Sequence, residues 1–90
     1  MDVFVGLAHP VRRKVLAMLR KGPLRSGEIA AAFDVAWPTM TGHLKILKDA
    51  GLVTAERSGT SIVYRLNATI LEEAAAALLD IGSTIKGPKP

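Results

Sequence analysis

The side chains best able to do chemistry gather in one run, Trp37-Pro38-Thr39-Met40-Thr41-Gly42-His43-Leu44-Lys45-Ile46-Leu47-Lys48. Met40, Leu44 and Leu47 recur at i, i+4 and i+7, one apolar face of a helix, and Thr39, Thr41 and Lys45 fall off that face. A threonine hydroxyl bonds base edges or phosphates, and its methyl can meet the methyl of thymine. Lysines neutralise phosphate charge. Any solvated amphipathic helix could show these residue types, so their meaning depends on the elements around them.

Other chemistries find little support. The chain has no cysteine, which removes disulfides, thiolate metal sites and thiol switches. Its two histidines are His9 and His43, and Glu72, Glu73 and Asp80 stand in a stretch without one. Zinc and softer metals favour His or Cys ligands, so neither a metal site nor a cofactor is expected. There is no nucleophile–base constellation and no Gly-rich phosphate loop, so an enzyme is not expected either. No apolar run reaches the roughly 20 residues of a membrane span. The start, Met1-Asp2-Val3-Phe4, lacks a basic n-region. A cytoplasmic protein with no membrane partner is the expectation.

The charge is uneven. The net formal charge of the 90 residues is +4, which by itself points only weakly to a polyanionic partner. Between His9 and Leu66, however, Arg12, Arg13, Lys14, Arg20, Lys21, Arg25, Lys45, Lys48, Arg57 and Arg65 face only Glu28, Asp34, Asp49 and Glu56. The ends of the chain look instead like packing elements. Hydrophobic residues make up 49% and aromatics only 4%, so the core must be aliphatic. A single domain this short buries a modest core, which favours oligomerisation.

Periodicity and punctuation place the elements. Val3, Phe4 and Leu7 predict a short helix ending near Ala8, closed by His9-Pro10. A second helix over 10–20 buries Val11, Val15, Met18 and Leu19 and stops at Gly22-Pro23. Ser26 is the expected N-cap of a third helix with Ile29, Ala30 and Phe33 as its apolar stripe. Asp34-Val35-Ala36 is the turn into a fourth helix over 37–50, which Gly51 caps. Residues 52–57 and 61–66 read as strands joined by Ser58-Gly59-Thr60. A last helix begins near Ala68 or Thr69 and carries a broad stripe of Ile70, Leu71, Ala74, Ala77, Leu78 and Ile81, too apolar to be left bare. Residues 1–81 are one domain in this reading, and 82–90, with Gly, Ser, Pro and Lys, a flexible tail. The fold class is mainly α with a β-hairpin wing: a winged helix-turn-helix of about five helices.

Three segments resemble ArsR/SmtB-type repressors. His9-Pro10-Val11-Arg12-Arg13-Lys14-Val15-Leu16 is similar to the opening of their second helix. The run from Pro38 to Val53, with His43-Leu44, Leu47 and Ala50-Gly51-Leu52-Val53, resembles their recognition helix and first wing strand, and Tyr64-Arg65-Leu66-Asn67 their wing exit. The resemblance spans about residues 3–81 and is nearest the short SdpR-like autorepressors among the subgroups. It implies a homodimer, joined through the first and last helices, that binds an inverted-repeat double-stranded DNA operator. Val3, Phe4, Leu7, Leu71, Ala74 and Leu78 would form the interface. The family's known metal sites do not carry over to a chain without cysteine and with these few histidines.

Within that frame the recognition set is Trp37, Pro38, Thr39, Thr41, Gly42, His43, Lys45 and Lys48, and the wing set is Arg57, Thr60 and Ser61. Trp37 stands where the family often has a polar reader; it either faces DNA or anchors the turn. His43 either bonds a phosphate or base, or packs with a bond to nearby backbone. Arg57 suits a minor groove or is simply solvated. Arg65 is structural or phosphate-facing. The family's arginine near Arg12 and Arg13 often ties helices together, leaving Arg13 and Lys14 a weak phosphate role. Ala36 replaces the usual serine cap and Gly42 interrupts the helix, so the recognition helix is expected to be loosely held. The function expected is sequence-specific repression without a recognisable metal or thiol sensor, any effector being unassigned. The alternatives are the same fold with an unrecognised effector site, or a winged helix that contacts proteins; Lys45 and Lys48 weigh against the latter.

Overall fold

The computed structural model describes residues 2–85. Its elements run α1 (Val3–Leu7), α2 (Pro10–Leu19), β1 (Leu24–Arg25), α3 (Ser26–Ala31), α4 (Trp37–Asp49), β2 (Val53–Ser58), β3 (Ser61–Leu66) and α5 (Ala68–Ile85). Five helices and the hairpin match the expected winged helix-turn-helix.

The helix starts have local causes. Asp2 Oδ1 accepts from the Phe4 amide at 2.8 Å and caps α1. His9 Nδ1 accepts from the Val11 amide at 3.1 Å, and Pro10 opens α2, where a missing N–H costs nothing. Ser26 is not the cap of α3. It is the first helical residue, Arg25 holds the cap position, and Glu28 Oε1 reaches back to accept from the Arg25 amide at 2.9 Å. That carboxylate does from within the first turn what the serine hydroxyl was expected to do.

The end of α4 follows the sequence closely. Gly51 adopts φ +78°, the Leu52 amide donates to Leu47 O and the Gly51 amide to Lys48 O, both at 3.0 Å. This is the Schellman arrangement, and it turns the chain from α4 into the wing.

Val15, Leu16 and Leu19 of α2, Ile29 of α3, and Met40, Leu44 and Leu47 of α4 form the core with Leu52 and Val53. The α2 stripe is shifted from the expected one: Leu16 is buried, while Val11 and Met18 are only half-buried. Every core position of α4 is the one its 3.6-residue period predicts.

The sheet has three strands in the order β1-β3-β2, all antiparallel. β1 was not anticipated, because two residues carry no alternation to read. It pairs Leu24 with Tyr64 and Arg25 with Val63, which ties the entrance of α3 to the wing. β2 and β3 are joined through Gly59 and Thr60, with Ser58 opposite Ser61. Only Gly59 has positive φ (+62°), the pattern of a II′ hairpin turn.

α5 runs to Ile85, so Gly82 does not end the helix and the expected tail loses its first four residues to it. A single glycine costs a helix only about 1 kcal/mol. Residues 86–90 of that expected tail lie outside the described residues.

Candidate nucleic-acid interface

α4 is held by its inner face and by its flank. Met40 and Leu47 are fully buried and Leu44 nearly so. On the flank, Gly6 of α1 lies where an added Cβ would stand 2.6 Å from Leu52 Cδ1 and 3.2 Å from Ala50 Cβ. Only a hydrogen fits there, so α1 approaches the end of α4 directly. Nothing in the local pattern around Gly6 announced this role.

A second tie joins the same elements. Arg12 is 8% exposed; its Nε donates to Gly6 O at 3.0 Å and its Nη2 to Val5 O at 2.8 Å. Its Nη1 meets His43 Nδ1 at 3.1 Å. A guanidinium only donates, so His43 Nδ1 accepts and its proton resides on Nε2. Arg13 Nη1 donates to Leu7 O at 2.7 Å. Two arginines thus occupy the last carbonyls of α1, the negative end of its dipole. The Lys14 ammonium lies 5.8 Å from the centre of the Phe33 ring. Arg13 and Lys14 therefore already have intramolecular partners, at the positions given a weak phosphate role.

His43 turns toward α2 and is half-buried, unlike the other members of the expected recognition set. Its ring lies 4.4 Å from that of His9, tilted by 45°. Burial, then the charges of His9 and Arg12, lowers its pKa below the ordinary imidazole value. Its partner is a side chain, where the packed alternative had envisaged backbone.

The outward face holds the rest of the expected recognition set. Trp37, Pro38, Thr39, Thr41, Gly42, Lys45 and Lys48 are all exposed. Thr41 Oγ1 donates to Trp37 O at 2.9 Å. Lys45 Nζ pairs with Asp49 Oδ2 at 2.8 Å, a bond that holds the Asp49 carboxyl below its usual pKa. This partner of Lys45 was missed, although an i, i+4 spacing makes it legible. α4 starts after Ala36 with no side-chain cap, and a Cβ on Gly42 would meet nothing within 4 Å. On the wing, Arg57 and Thr60 are exposed and Ser61 is half-buried; Arg65, opposite Thr54, is exposed as well.

The expected interface residues divide. Ala74 is only 3% exposed within the single chain, and Val3, Leu7 and Leu71 pack on the core. Ala74 has no surface left for a partner, because α5 folds back beside α1 there. Phe4 and Leu78 are exposed, together with Val5, Leu79 and Ile81. The exposed apolar surface thus joins Phe4 and Val5 of α1 to the distal part of α5. Among the described residues no three His, Cys, Asp or Glu side chains gather as a metal would require, and no helix is long and apolar enough to cross a membrane.

A helix-turn-helix of α3 and α4, a core-anchored second helix with hydroxyls and lysines outward, and a two-stranded wing define a winged helix-turn-helix domain. Residues 7–56 match the family described as a helix-turn-helix domain. The chain is 39% identical over 72 residues to the transcriptional repressor SdpR of Bacillus subtilis, covering 80% of each protein. It is 47% identical over 65 residues to the repressor SmtB of Mycobacterium tuberculosis, a match over 72% of this chain and 48% of SmtB. Among solved structures, an ArsR family transcriptional regulator superposes with a TM-score of 0.84 at 28% identity, over 97% of this chain and 90% of that one. A homodimeric winged helix-turn-helix DNA-binding domain from Mycobacterium bovis superposes with a TM-score of 0.73 at 28% identity, over 93% and 79%. The chain belongs to the ArsR/SmtB-type winged helix-turn-helix regulators, and within them it resembles SdpR. These are transcriptional regulators, a non-enzymatic class.

Proposed function

We propose that this chain is a cytoplasmic repressor that binds an inverted-repeat DNA operator as a homodimer, and that it does so without a metal or thiol sensor. The observation that carries the reading is the division of α4. Its three aliphatic anchors are buried, while Thr39, Thr41, Gly42, Lys45 and Lys48 share the exposed side. In this reading α4 enters the major groove, Thr39 and Thr41 face base edges, and Lys45 and Lys48 meet phosphates. Arg57 and Thr60 at the wing, with Ser61 behind them, meet the flanking backbone or minor groove. Trp37 and Pro38 lead the helix into the groove. His43 serves from behind, positioning α4 through Arg12. In a homodimer the half-sites lie about 34 Å apart, one helical turn.

The test is footprinting of the purified protein on duplex DNA from its own upstream region, followed by fluorescence anisotropy across a salt series. Thr41→Ala is expected to lower the ratio of specific to non-specific affinity. Lys48→Ala is expected to weaken all duplexes alike and reduce the log–log salt slope by about one. An unchanged ratio for Thr41→Ala removes that residue from base reading.

A further inference from the structure

The first two turns of α4 contain no Arg, Lys, Asn, Gln, Asp or Glu: residues 37–44 read Trp-Pro-Thr-Met-Thr-Gly-His-Leu. In helix-turn-helix domains these N-terminal residues are the ones that contact base edges. Paired hydrogen bonds to guanine come from Arg or Lys, and to adenine from Asn or Gln. None is available here. Met40 and Leu44 are buried, and His43 is engaged with Arg12. Thr41 already donates its hydroxyl proton to Trp37 O, which leaves its oxygen an acceptor and its methyl an apolar contact.

Trp37 is then the largest group on this end of the helix. It is 48% exposed at the first helical position, so packing in the turn accounts for only part of the ring. Its indole offers one N–H donor and a broad apolar face. The apolar feature of the major groove is the 5-methyl group of thymine. Gly42, exposed five residues further along, adds no side chain to hold the helix away from the bases.

Resting on the DNA-binding reading above, we infer that Trp37 is the specificity-determining residue of α4. It reads thymine 5-methyl groups, assisted by the methyls of Thr39 and Thr41, in place of charge-assisted pairing with guanine. The operator is distinguished by where its thymine methyls stand in the major groove.

The experiment selects duplexes from a randomised pool with the unaltered protein. The strongest is resynthesised in three forms: with thymine, with deoxyuridine replacing thymine in the half-sites, and with 7-deazaguanine replacing guanine. Deoxyuridine removes the methyl and keeps the base pair. It is expected to weaken binding by about fourfold for each contacted methyl, while 7-deazaguanine changes affinity less than twofold. Trp37→Ala is expected to lose most of the preference for the thymine form over the deoxyuridine form, and Trp37→Phe to keep more of it. The wild-type comparison stands whether or not the variants fold. Equal binding of the thymine and deoxyuridine forms by the wild type, or a large loss with 7-deazaguanine, overturns the inference and leaves the repressor reading intact. A pool from which no duplex is enriched overturns both.

Discussion

Arg12 and His43 make a contact that depends on a proton being absent. A protonated imidazole has no acceptor at Nδ1, so charging His43 would set two donors against each other. The same event places a cation beside Arg12. In the folded chain the His43 pKa is lowered, by burial first and then by His9 and Arg12. The unfolded chain therefore takes up a proton as pH falls past about 6.5 while the folded chain resists it. The contribution of His43 to stability is complete above that pH and is lost as pH drops toward the lowered folded value. Urea midpoints are expected to fall between pH 7.5 and 5.5, and His43→Gln should flatten that slope. Two glycines give predictions of opposite sign. Gly6→Ala drives a methyl against Leu52 and Ala50 and should cost about 1–3 kcal/mol. Gly42→Ala meets open space and should stabilise the free protein by about 1 kcal/mol. Chemical denaturation of both variants checks the pair. The outward placement of Thr41 was legible from its spacing. The jobs of Gly6 and of Arg12 toward His43 were not, because each depends on a partner far along the chain.

At the scale of elements, α4 combines a firm inner face with a weak beginning. Ala36 supplies no cap, and Gly42 sits in the second turn without packing. α2, by contrast, begins with both a side-chain cap and Pro10. Amides in the first two turns of α4 are therefore expected to exchange faster than those of α2 and to slow when a bound duplex is added. Equal protection in the free protein would count against a loosely held recognition helix. Helices were readable because their period and their caps are local. The exceptions have physical reasons: Glu28 relieved Ser26 of the cap of α3, and β1 exists only because β3 lies beside it. The end of α5 was misplaced because one glycine is a weak stop signal in an otherwise apolar helix.

The whole molecule is longer than a compact chain of its size. Its radius of gyration is 15.1 Å, against about 12 Å expected for a closed single domain. α5 accounts for the shape, since 18 residues of helix span about 27 Å. Its distal part exposes Leu78 by 52% and Leu79 by 75%. An apolar surface of this kind is covered in the dimer we propose, and Leu78→Glu is expected to shift the protein toward monomer in sedimentation velocity. Because two half-sites must be held together, the same variant should lose operator affinity more than affinity for unselected DNA. A variant that stays dimeric would move the interface elsewhere. The sequence by itself determined the helix periods, the Gly51 turn, the hairpin and the basic surface, all of which follow from interactions within a few residues. Only the tertiary structure decided that Ala74 is consumed inside the chain and that Arg12 fastens α1 to His43, 31 residues away. Those outcomes depend on which surfaces meet when the elements pack, and no local period contains that information.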